Sequence, residues 1–443
     1  MSGYGDVKAL CRGENLRCRN DIISMQRPRR GFHRMMEDRL LLVTHVPIRK
    51  IDGNVCIDDQ TCEGLVRWSE SFEHTTYAGL ELHDDNLRCL SSARWRPVAE
   101  LPCAPRLDII AMPRAYGVGQ FVAAYRRTRA MLAAEIARSR YLCFTLGCLT
   151  GDWAALSAVE ANKQKRTYGV WLDRVEHKVI RSELANMPLK RRLKETLSLP
   201  VMRLYHRTLI RRSSLGLFQG RDCYEHYRPF SSRAFCVYDT HTSHADFIDA
   251  AALRAKVARV LAGDVLRICY VGRAADMKGP LDWLGALARA RDAGVRFQAS
   301  WIGDGPRLET LRRAVTELGL ESCVDLPGFV ADRRQILARM ADTDVFLFCH
   351  KTLESPRCLI EALVCGAPIV GYASAYGRDL VAGCGGGDFV EVGAVEALAG
   401  RLVAHDRDRV GLAAMIESAA RSGLSFDEHA VYRQRTRLIR QFA

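Results

Sequence analysis

The alternation of apolar and polar stretches along the first half of the chain predicts strands separated by helices. The first clear strand runs from Arg39 to Val46, because an unbroken apolar run is typical of a strand buried on both faces of a parallel sheet. Other short apolar runs are predicted strands, and the stretches between them with helical spacing of apolar residues are predicted helices. The predicted strands are 107–111, 141–145, 167–171, 214–218 and 234–238, and the predicted helices are 61–72, 121–139 and 153–162.

A second series of the same kind follows a connecting helix predicted over 250–262. Its strands are predicted at 267–271, 296–302, 323–326, 345–348 and 368–371, with helices at 279–293, 306–318, 333–340 and 356–365. Strands that alternate with helices indicate the α/β class with mostly parallel sheets. Two such series predict two doubly wound, Rossmann-like domains facing a cleft, with ligands beyond the carboxyl ends of the strands.

The length of 443 residues also suits two domains. We predict a first domain over 35–245, a second over 246–425, and a C-terminal helix within 426–443 that packs back onto the first domain. Residues 1–34 are polar and rich in Arg without periodicity, which predicts disorder or an over-long start.

The net charge of +14 points to an anionic partner such as nucleic acid, a membrane surface or a phosphate-rich substrate. Residues 190–212 hold eight Lys and Arg against the single carboxylate Glu195, interleaved with apolar residues. This stretch is either a surface for an anionic membrane or a solvated helix face. The sequence shows no recognised nucleic-acid-binding module, so we expect no nucleic acid partner.

No apolar run approaches the ~20 residues of a membrane span, and the N-terminus lacks a signal-peptide core. The sixteen cysteines are scattered singly, without a CxxC pair or the Cys/His spacing of a zinc site. We therefore predict reduced, structural thiols, no metal, and a cytoplasmic location, soluble or peripheral at the inner face of the plasma membrane.

The strongest chemical motif follows the predicted strand 267–271. Gly272 turns the chain, and Arg273 and Lys278 stand five residues apart just before a helix. A planar guanidinium, a mobile ammonium and free N–H groups at a helix start together suit a diphosphate. The alternative is two surface cations in a loop.

Two further turns are each weak on their own. The first is Gly303, Asp304 and Gly305, where glycines let backbone approach a ligand, although ordinary turn chemistry explains them equally well. The second is Phe329 and Val330 after the next strand, where a base could lie against exposed backbone.

A polar loop after the strand 345–348 leads into a helix that carries Glu361. A carboxylate there can accept both hydroxyls of a ribose, and Glu354 near the helix start can accept sugar hydroxyls. The alternatives are a solvated Glu361 and a Glu354 that only favours the helix start. The candidate ligand-binding residues of this segment are His350, Lys351, Glu354, Ser355, Pro356, Arg357 and Glu361.

These motifs in this order resemble glycosyltransferase family 4, the glycosyl transferases group 1, over roughly 265–405. The resemblance implies a GT-B fold and a retaining, metal-independent, hexosyltransferase-like enzyme with a nucleotide sugar as substrate, UDP- or GDP-linked, and no cofactor. It implies that Arg273 and Lys278 clamp the donor diphosphate and that Glu361 holds the ribose. The family usually separates two Glu by seven residues, whereas Leu353 stands at the earlier position here and Glu354 leaves six. Glu354 or Ser355 is then the candidate contact for the sugar.

The first half departs further from the family, in which this domain binds the acceptor. The loop after the first strand, 45–47 and 52–54, is not Gly-rich, and the segment 147–152 lacks the mid-domain His of many members. Asp152 is a candidate to orient an acceptor hydroxyl, or else a helix N-terminal carboxylate. His241 and His244 near the domain junction are further cleft candidates.

We therefore predict a retaining glycosyltransferase that acts on a glycan or lipid-linked glycan acceptor in bacterial polysaccharide or glycolipid assembly. Arg273, Lys278, Glu354 and Asp152 are its candidate catalytic residues. The alternatives are a catalytically silent GT-B protein that binds a nucleotide sugar, and a GT-B sugar-nucleotide epimerase.

Overall fold

The computed structural model describes residues 38–82 and 94–443. The first sheet has a parallel core in the order β5-β3-β1-β6-β7-β8-β9, with β2 and β4 as an antiparallel extension of β1. Its strands are β1 (Arg39–Ile51), β2 (Asn54–Asp58), β3 (His74–Glu81), β4 (Trp95–Pro97), β5 (Leu107–Met112), β6 (Tyr141–Thr145), β7 (Gly169–Leu172), β8 (Leu215–Gln219) and β9 (Ala234–Val237). The prediction for residues 1–34 lies outside the described residues.

Helices cover both faces of this sheet. They are α1 (Asp59–Ser69), α2 (Val118–Arg138), α3 (Trp153–Lys163), α4 (Glu176–Glu183), α5 (Leu189–Arg212) and α6 (Gly220–Tyr227). Successive residues of β1 point to opposite faces, so Leu41 and Val43 join the core under α2, α3 and α5, while Leu40 and Leu42 join the core under α1. Both faces are apolar, which explains the unbroken apolar run of this strand.

The second sheet is parallel, in the order β12-β11-β10-β13-β14-β15. Its strands are β10 (Leu266–Val271), β11 (Phe297–Ile302), β12 (Val324–Gly328), β13 (Val345–Phe348), β14 (Ile369–Tyr372) and β15 (Gly387–Val390). Its helices are α7 (Ala250–Leu261), α8 (Pro280–Asp292), α9 (Leu308–Glu317), α10 (Arg333–Ala341), α11 (Arg357–Val364), α12 (Ala375–Leu380), α13 (Val395–Arg407) and α14 (Arg409–Gly423). Chain order reverses between β10 and β13, the point at which ligands bind in such sheets.

The chain then returns to the first sheet through α15 (Glu428–Phe442). Arg67 of α1 bonds Glu428 at 2.6 Å, and the rings of Phe235 and Phe442 stack at 5.8 Å. The two segments that connect the halves, after β9 and before α15, are hydrogen-bonded to each other. Thr242 donates its hydroxyl to the carbonyl of Phe426 at 2.7 Å and accepts the N–H of Glu428 at 2.9 Å.

Several elements differ from the sequence prediction. The strand β3 was not predicted, because its Thr, Tyr and Gly residues make no continuous apolar run, yet Thr75 and Thr76 are fully buried between β1 and β5. The Arg39 guanidinium donates to the hydroxyl of Thr76 at 3.1 Å and so satisfies one of these buried polar groups. The elements β2, β4, α4, β15, α13 and α14 were also not predicted.

The cysteines of the described ranges are free thiols, and most are buried. Burial raises the pKa of Cys62, Cys143 and Cys269 to about 12, which keeps them protonated and unreactive near neutral pH. Within the same ranges, no helix is long and apolar enough to cross a bilayer.

Candidate functional site

The loops that follow β10 and β11 are held against each other by backbone hydrogen bonds. The N–H of Gly272 donates to the carbonyl of Ile302 at 2.9 Å, and the N–H of Ala274 donates to that of Asp304 at 3.0 Å. A Cβ on Gly303 would lie 2.1 Å from the carbonyl oxygen of Gly272, and Gly303 has a φ of +148°. Gly303 therefore allows the loop after β11 to lie close to the loop after β10.

The loops after β10, β11 and β12 present charged and aromatic side chains at the carboxyl edge of the sheet. Arg273 is exposed, and the described residues offer it no ion pair. Asp304 is exposed beside Gly305, whose N–H it accepts at 2.6 Å. Phe329 follows β12 and is 51% exposed, with Val330 half-buried beside it. An exposed cation and an exposed ring at one edge suit a ligand with an anionic and an aromatic part.

Lys278 meets Glu354 across the edge of the sheet. The Nζ atom of Lys278 lies 2.6 Å from Oε1 of Glu354, and both side chains are mostly buried. Gly279, with a φ of +63°, brings the start of α8 against the carbonyl of Cys349, and a Cβ there would lie 2.4 Å from that oxygen. The two predicted residues are thus brought together from segments 76 positions apart.

The remaining residues of the polar loop divide between the two halves. Lys351 pairs with Asp282 of α8 at 2.8 Å, so it stays within the second half. Ser355 donates its hydroxyl to the carbonyl of Gln219 at 2.8 Å, and Arg357 donates to Gln60 at 2.6 Å; both contacts reach the first half. Pro356 caps the start of α11 without a side-chain hydrogen bond.

His350 and Glu361 have different surroundings. The ring of His350 is buried, with Nε2 2.8 Å from the hydroxyl of Tyr270, and burial followed by the charge of Lys278 lowers its pKa well below the usual range. His350 is therefore neutral and faces the interior. Glu361 is partly buried and lies 3.4 Å from the guanidinium of Arg333. That guanidinium also donates to the carbonyl of His241 at 3.2 Å.

A cavity of about 920 Å³ lies mainly in the first half. Its apolar wall comes from β1, β3, α1 and α15 and includes Leu42, Leu65, Trp68, Tyr77 and Tyr432. Its polar wall follows the carboxyl ends of the strands and includes Thr44, His45, Thr145, Asp173, Arg174, Glu176, Asp239 and His241. Among the residues predicted to bind a ligand in the second half, Arg357 is the one that lines it.

This cavity lies within electrostatic reach of the Lys278–Glu354 pair. Burial lowers the pKa of Arg174, but Glu176, Asp173 and Glu354 together raise it above its usual value. Arg174 lines the cavity, so a carboxylate of the second half acts on a cation of the first.

Asp152 sits under the polar wall, where it is almost fully buried. Its carboxylate accepts the N–H of Ala155 at 2.8 Å, as a cap of α3, and the N–H of Gly147 at 2.9 Å. It also lies 3.3 Å from Nε2 of His45. Burial alone would raise the pKa of Asp152, but His45 and the two N–H donors lower it. Conversely, burial would lower the pKa of His45, and Asp152 raises it.

The family model and the curated relatives that match this chain are glycosyltransferases. Residues 254–422 match the family model described as glycosyl transferases group 1. A putative colanic acid biosynthesis glycosyltransferase (WcaL) of Escherichia coli K12 is 31% identical over 161 residues, 35% of this chain and 39% of that protein. The 2-deoxystreptamine N-acetyl-D-glucosaminyltransferase of Streptomyces fradiae is 35% identical over 115 residues, 25% of this chain and 27% of that protein. The chain spans less than half the length of the curated relatives it matches.

Solved structures share the architecture of nearly the whole chain. The Anabaena protein HepE in complex with UDP has a TM-score of 0.61 at 16% identity and covers 92% of this chain and 100% of that one. Sucrose-phosphate synthase from Thermosynechococcus elongatus has a TM-score of 0.62 at 15% identity and covers 91% and 99%. The fold is GT-B. The predicted α/β class with two Rossmann-like sheets is thereby confirmed.

Within this GT-B fold, the sequence interpretation missed His45. It lies on β1, 107 positions before Asp152, and only the parallel pairing of β1 with β6 brings the two together. The polar residue at the end of an apolar strand was the available signal, since the carboxyl ends of neighbouring parallel strands meet at one edge. His241 was considered and lines the cavity, where burial, followed by the charge of Arg357, lowers its pKa to about 4. His244 does not line this cavity and packs its ring on Phe247 at 5.1 Å.

Proposed function

We propose that the chain is a glycosyltransferase that moves a sugar from a UDP- or GDP-linked donor to a hydroxyl of a glycan or lipid-linked glycan. The observation that supports it best is the Lys278–Glu354 pair, which stands at the carboxyl edge of the second sheet inside the segment that matches the family model. Arg357, three residues after Glu354, lines the cavity of the first half. One half thus offers a site for the nucleotide sugar and the other a site for its acceptor.

We assign the diphosphate of the donor to Arg273 and Lys278. The first is exposed without an ion pair among the described residues, and the second is held by a carboxylate that an arriving phosphate can displace. Glu361 is assigned to the ribose hydroxyls, Phe329 to the base, and Glu354 or Ser355 to the sugar. In this assignment, the six-residue spacing between Glu354 and Glu361 determines which donor sugar the site accepts.

The reaction rests on positioning and on electrostatics. The bond between the anomeric carbon and the diphosphate oxygen breaks, and the acceptor oxygen attacks the same face, so that the configuration is retained. The acceptor proton passes to a phosphate oxygen of the departing diphosphate, and Arg273 and Lys278 offset the negative charge that grows there. We propose that these two side chains stabilise the departing diphosphate and that the reaction needs no metal ion.

In the first half, we assign the acceptor to the cavity. His45, oriented by Asp152, lies on the polar wall and can hydrogen-bond an acceptor hydroxyl. The apolar wall suits an acceptor with a non-polar part, such as a lipid-linked glycan. The similarity to colanic acid biosynthesis glycosyltransferases supports a place in polysaccharide assembly. We extend the proposal to glycolipid assembly and to a cytoplasmic location.

A thermal-shift screen against UDP-, GDP-, ADP- and TDP-sugars tests donor binding, because a ligand of the folded state raises the melting temperature. The matching donor should raise it for the wild type and for Arg296→Ala, whose exposed cation lies at the amino end of β11. Arg273→Ala and Lys278→Ala should weaken that shift.

Turnover is then measured with a glycan acceptor. Release of the nucleotide should require the acceptor, and each of the two alanine variants should be slower by about a hundredfold. Full turnover by both variants would refute the site assignment. Donor binding without release under any condition would favour a silent GT-B protein, and sugar isomerisation without an acceptor would favour an epimerase.

A further inference from the structure

Helix α5 carries two apolar faces on opposite sides. The buried face holds Leu199, Met202, His206, Leu209 and Ile210. The other face is open to solvent and holds Leu189, Leu193, Leu197, Val201 and Leu204, which are 55–81% exposed. At 100° per residue these five side chains span an arc of about 120°, so they form one continuous stripe. A solvent-exposed apolar stripe of this size marks an interaction surface.

Cations border this stripe. Lys190 and Lys194 at one edge and Arg192 and Arg203 at the other are exposed, and none of them forms an ion pair with a described side chain. Glu195 is the single carboxylate between positions 190 and 212. Two copies of this chain that met stripe to stripe would oppose like charges, which disfavours self-association. A leaflet with anionic headgroups complements both the leucines and the unpaired cations.

The topology places the start of the stripe toward the carboxyl edge of the first sheet. Helix α5 ends at Arg212, and the chain enters β8 at Leu215, the amino edge of the sheet, so the start of the helix lies toward the carboxyl edge. The residues 189–198 include no buried side chain. At that same carboxyl edge, Asp173 and Arg174 follow β7 and line the cavity.

The start of α2 adds a second apolar patch at this edge. Tyr116, just before the helix, lines the cavity, and Val118 and Val122 in its first turns are 68% and 67% exposed. Helices α2 and α5 both pack against α3, so they lie on one face of the sheet. Two exposed apolar segments therefore lie on one face of the first sheet, toward its carboxyl edge.

We propose that α5 and the first turns of α2 dock on an anionic lipid bilayer. Leu189, Leu193 and Leu197 enter the boundary between headgroups and acyl chains, while the bordering lysines and arginines contact phosphate headgroups. Docking in this way brings the carboxyl edge of the first sheet toward the membrane surface. The proposal concerns binding alone and does not depend on glycosyl transfer.

Flotation with phosphatidylcholine vesicles, with and without phosphatidylglycerol, tests this surface. The wild type should float with the phosphatidylglycerol vesicles and less so at high salt. The double variant Leu193→Asp/Leu197→Asp should lose about tenfold or more of the bound fraction, since two leucines no longer leave water. The matched control Val410→Asp/Leu424→Asp changes two residues of the second half that are 71% and 59% exposed, and it should bind as the wild type.

A second variant protects the test against misfolding. Lys190→Glu/Lys194→Glu keeps the leucines and should also lose binding to the anionic vesicles, with an unchanged melting temperature. Vesicle binding by both variants equal to that of the wild type, or no binding by the wild type, would overturn the proposal.

Analytical ultracentrifugation tests a second copy of the chain on the stripe. A wild-type dimer that Leu193→Asp/Leu197→Asp dissociates, without vesicle binding, would overturn the proposal in favour of that copy. The thermal shift with donor should be the same in all these variants, so this result and that of the proposed function can be told apart.

Discussion

The two halves of the molecule hold their candidate site residues in different ways. In the second half, backbone contacts fix the loops, and the charged side chains of Arg273 and Lys278 stand at the edge of that scaffold. In the first half, Asp152 is itself part of the scaffold, because it caps α3, fixes Gly147 and lies beside His45. A site residue can therefore be exchanged in the second half without loss of the fold, whereas in the first half function and stability change together.

The largest effect is expected where the scaffold of the second half is changed directly. Gly303→Ala places a Cβ 2.1 Å from the carbonyl of Gly272 and should cost about 3 kcal/mol of the free energy of unfolding. Urea denaturation measures it. Gly400→Ala is the matched control, since nothing lies within 4 Å of its Cβ and alanine favours the helix. If both variants were as stable as the wild type, the loops would not depend on this contact.

The next effect concerns the scaffold of the first half. Asp152→Ala removes the cap of α3 and leaves the buried N–H of Gly147 unpaired, so it should cost about 2 kcal/mol in urea denaturation. Asp332 caps α10 through one N–H, that of Arg334, and Asp332→Ala should cost about 1 kcal/mol. Equal losses in the two variants would show that Asp152 acts as an ordinary cap.

A smaller effect should appear in binding more than in stability. Glu354→Gln frees Lys278 for phosphate, so titration calorimetry should show UDP binding about fivefold tighter. The melting temperature should fall modestly, because the mostly buried ammonium loses its charged partner but keeps a hydrogen-bond acceptor. The control Asp276→Asn frees the exposed Arg307 nearby and should leave UDP affinity unchanged. Weaker binding by Glu354→Gln would mean that the carboxylate does not compete with the nucleotide.

The smallest effect is a pH dependence of the first half. The folded-state pKa of His45 is raised, so its contribution to stability is complete below its unfolded pKa and is lost as the pH rises through the folded value. The wild type should exceed His45→Gln in stability most at about pH 5.5 and least at about pH 8.5. Burial disfavours the protonated ring, and Asp152, Asp173 and Glu176 favour it and raise the pKa of His45 overall. A pH-independent difference between the two proteins would contradict this pairing.

The contrast between the two halves also explains which elements and site residues could be predicted from the sequence. The strand Val345–Phe348 was predicted with its observed bounds, because a short apolar run between polar loops defines it, and the motifs of the second half are contiguous. The pair of His45 and Asp152 is formed by two strands distant in sequence, and no local pattern reports which distant side chains meet. The stretch 190–212 was recognised as basic and amphipathic, but which of its apolar residues face solvent depends on the packing of α5 against the sheet.

The glycines show a further limit of sequence reasoning. Gly303 and Gly305 were interpreted as places where backbone approaches a ligand, and the structure places the carbonyls of Gly272 and Ala274 against them instead. Both explanations require the same residue type, so composition alone does not separate them. The domain boundaries after residues 245 and 425 stay a proposal.

The hydrogen bonds of Thr242 with Phe426 and Glu428 join the two segments that link the halves. Topologically, the second half is thus an insertion whose entrance and exit lie at one point. Residues 250–423 could be removed with their two ends already adjacent. A tag added after α15 would contact the first half alone. Any rotation of one half against the other must bend both connecting segments at once. Two hydrogen-bonded segments of this kind permit opening about one axis and resist twisting.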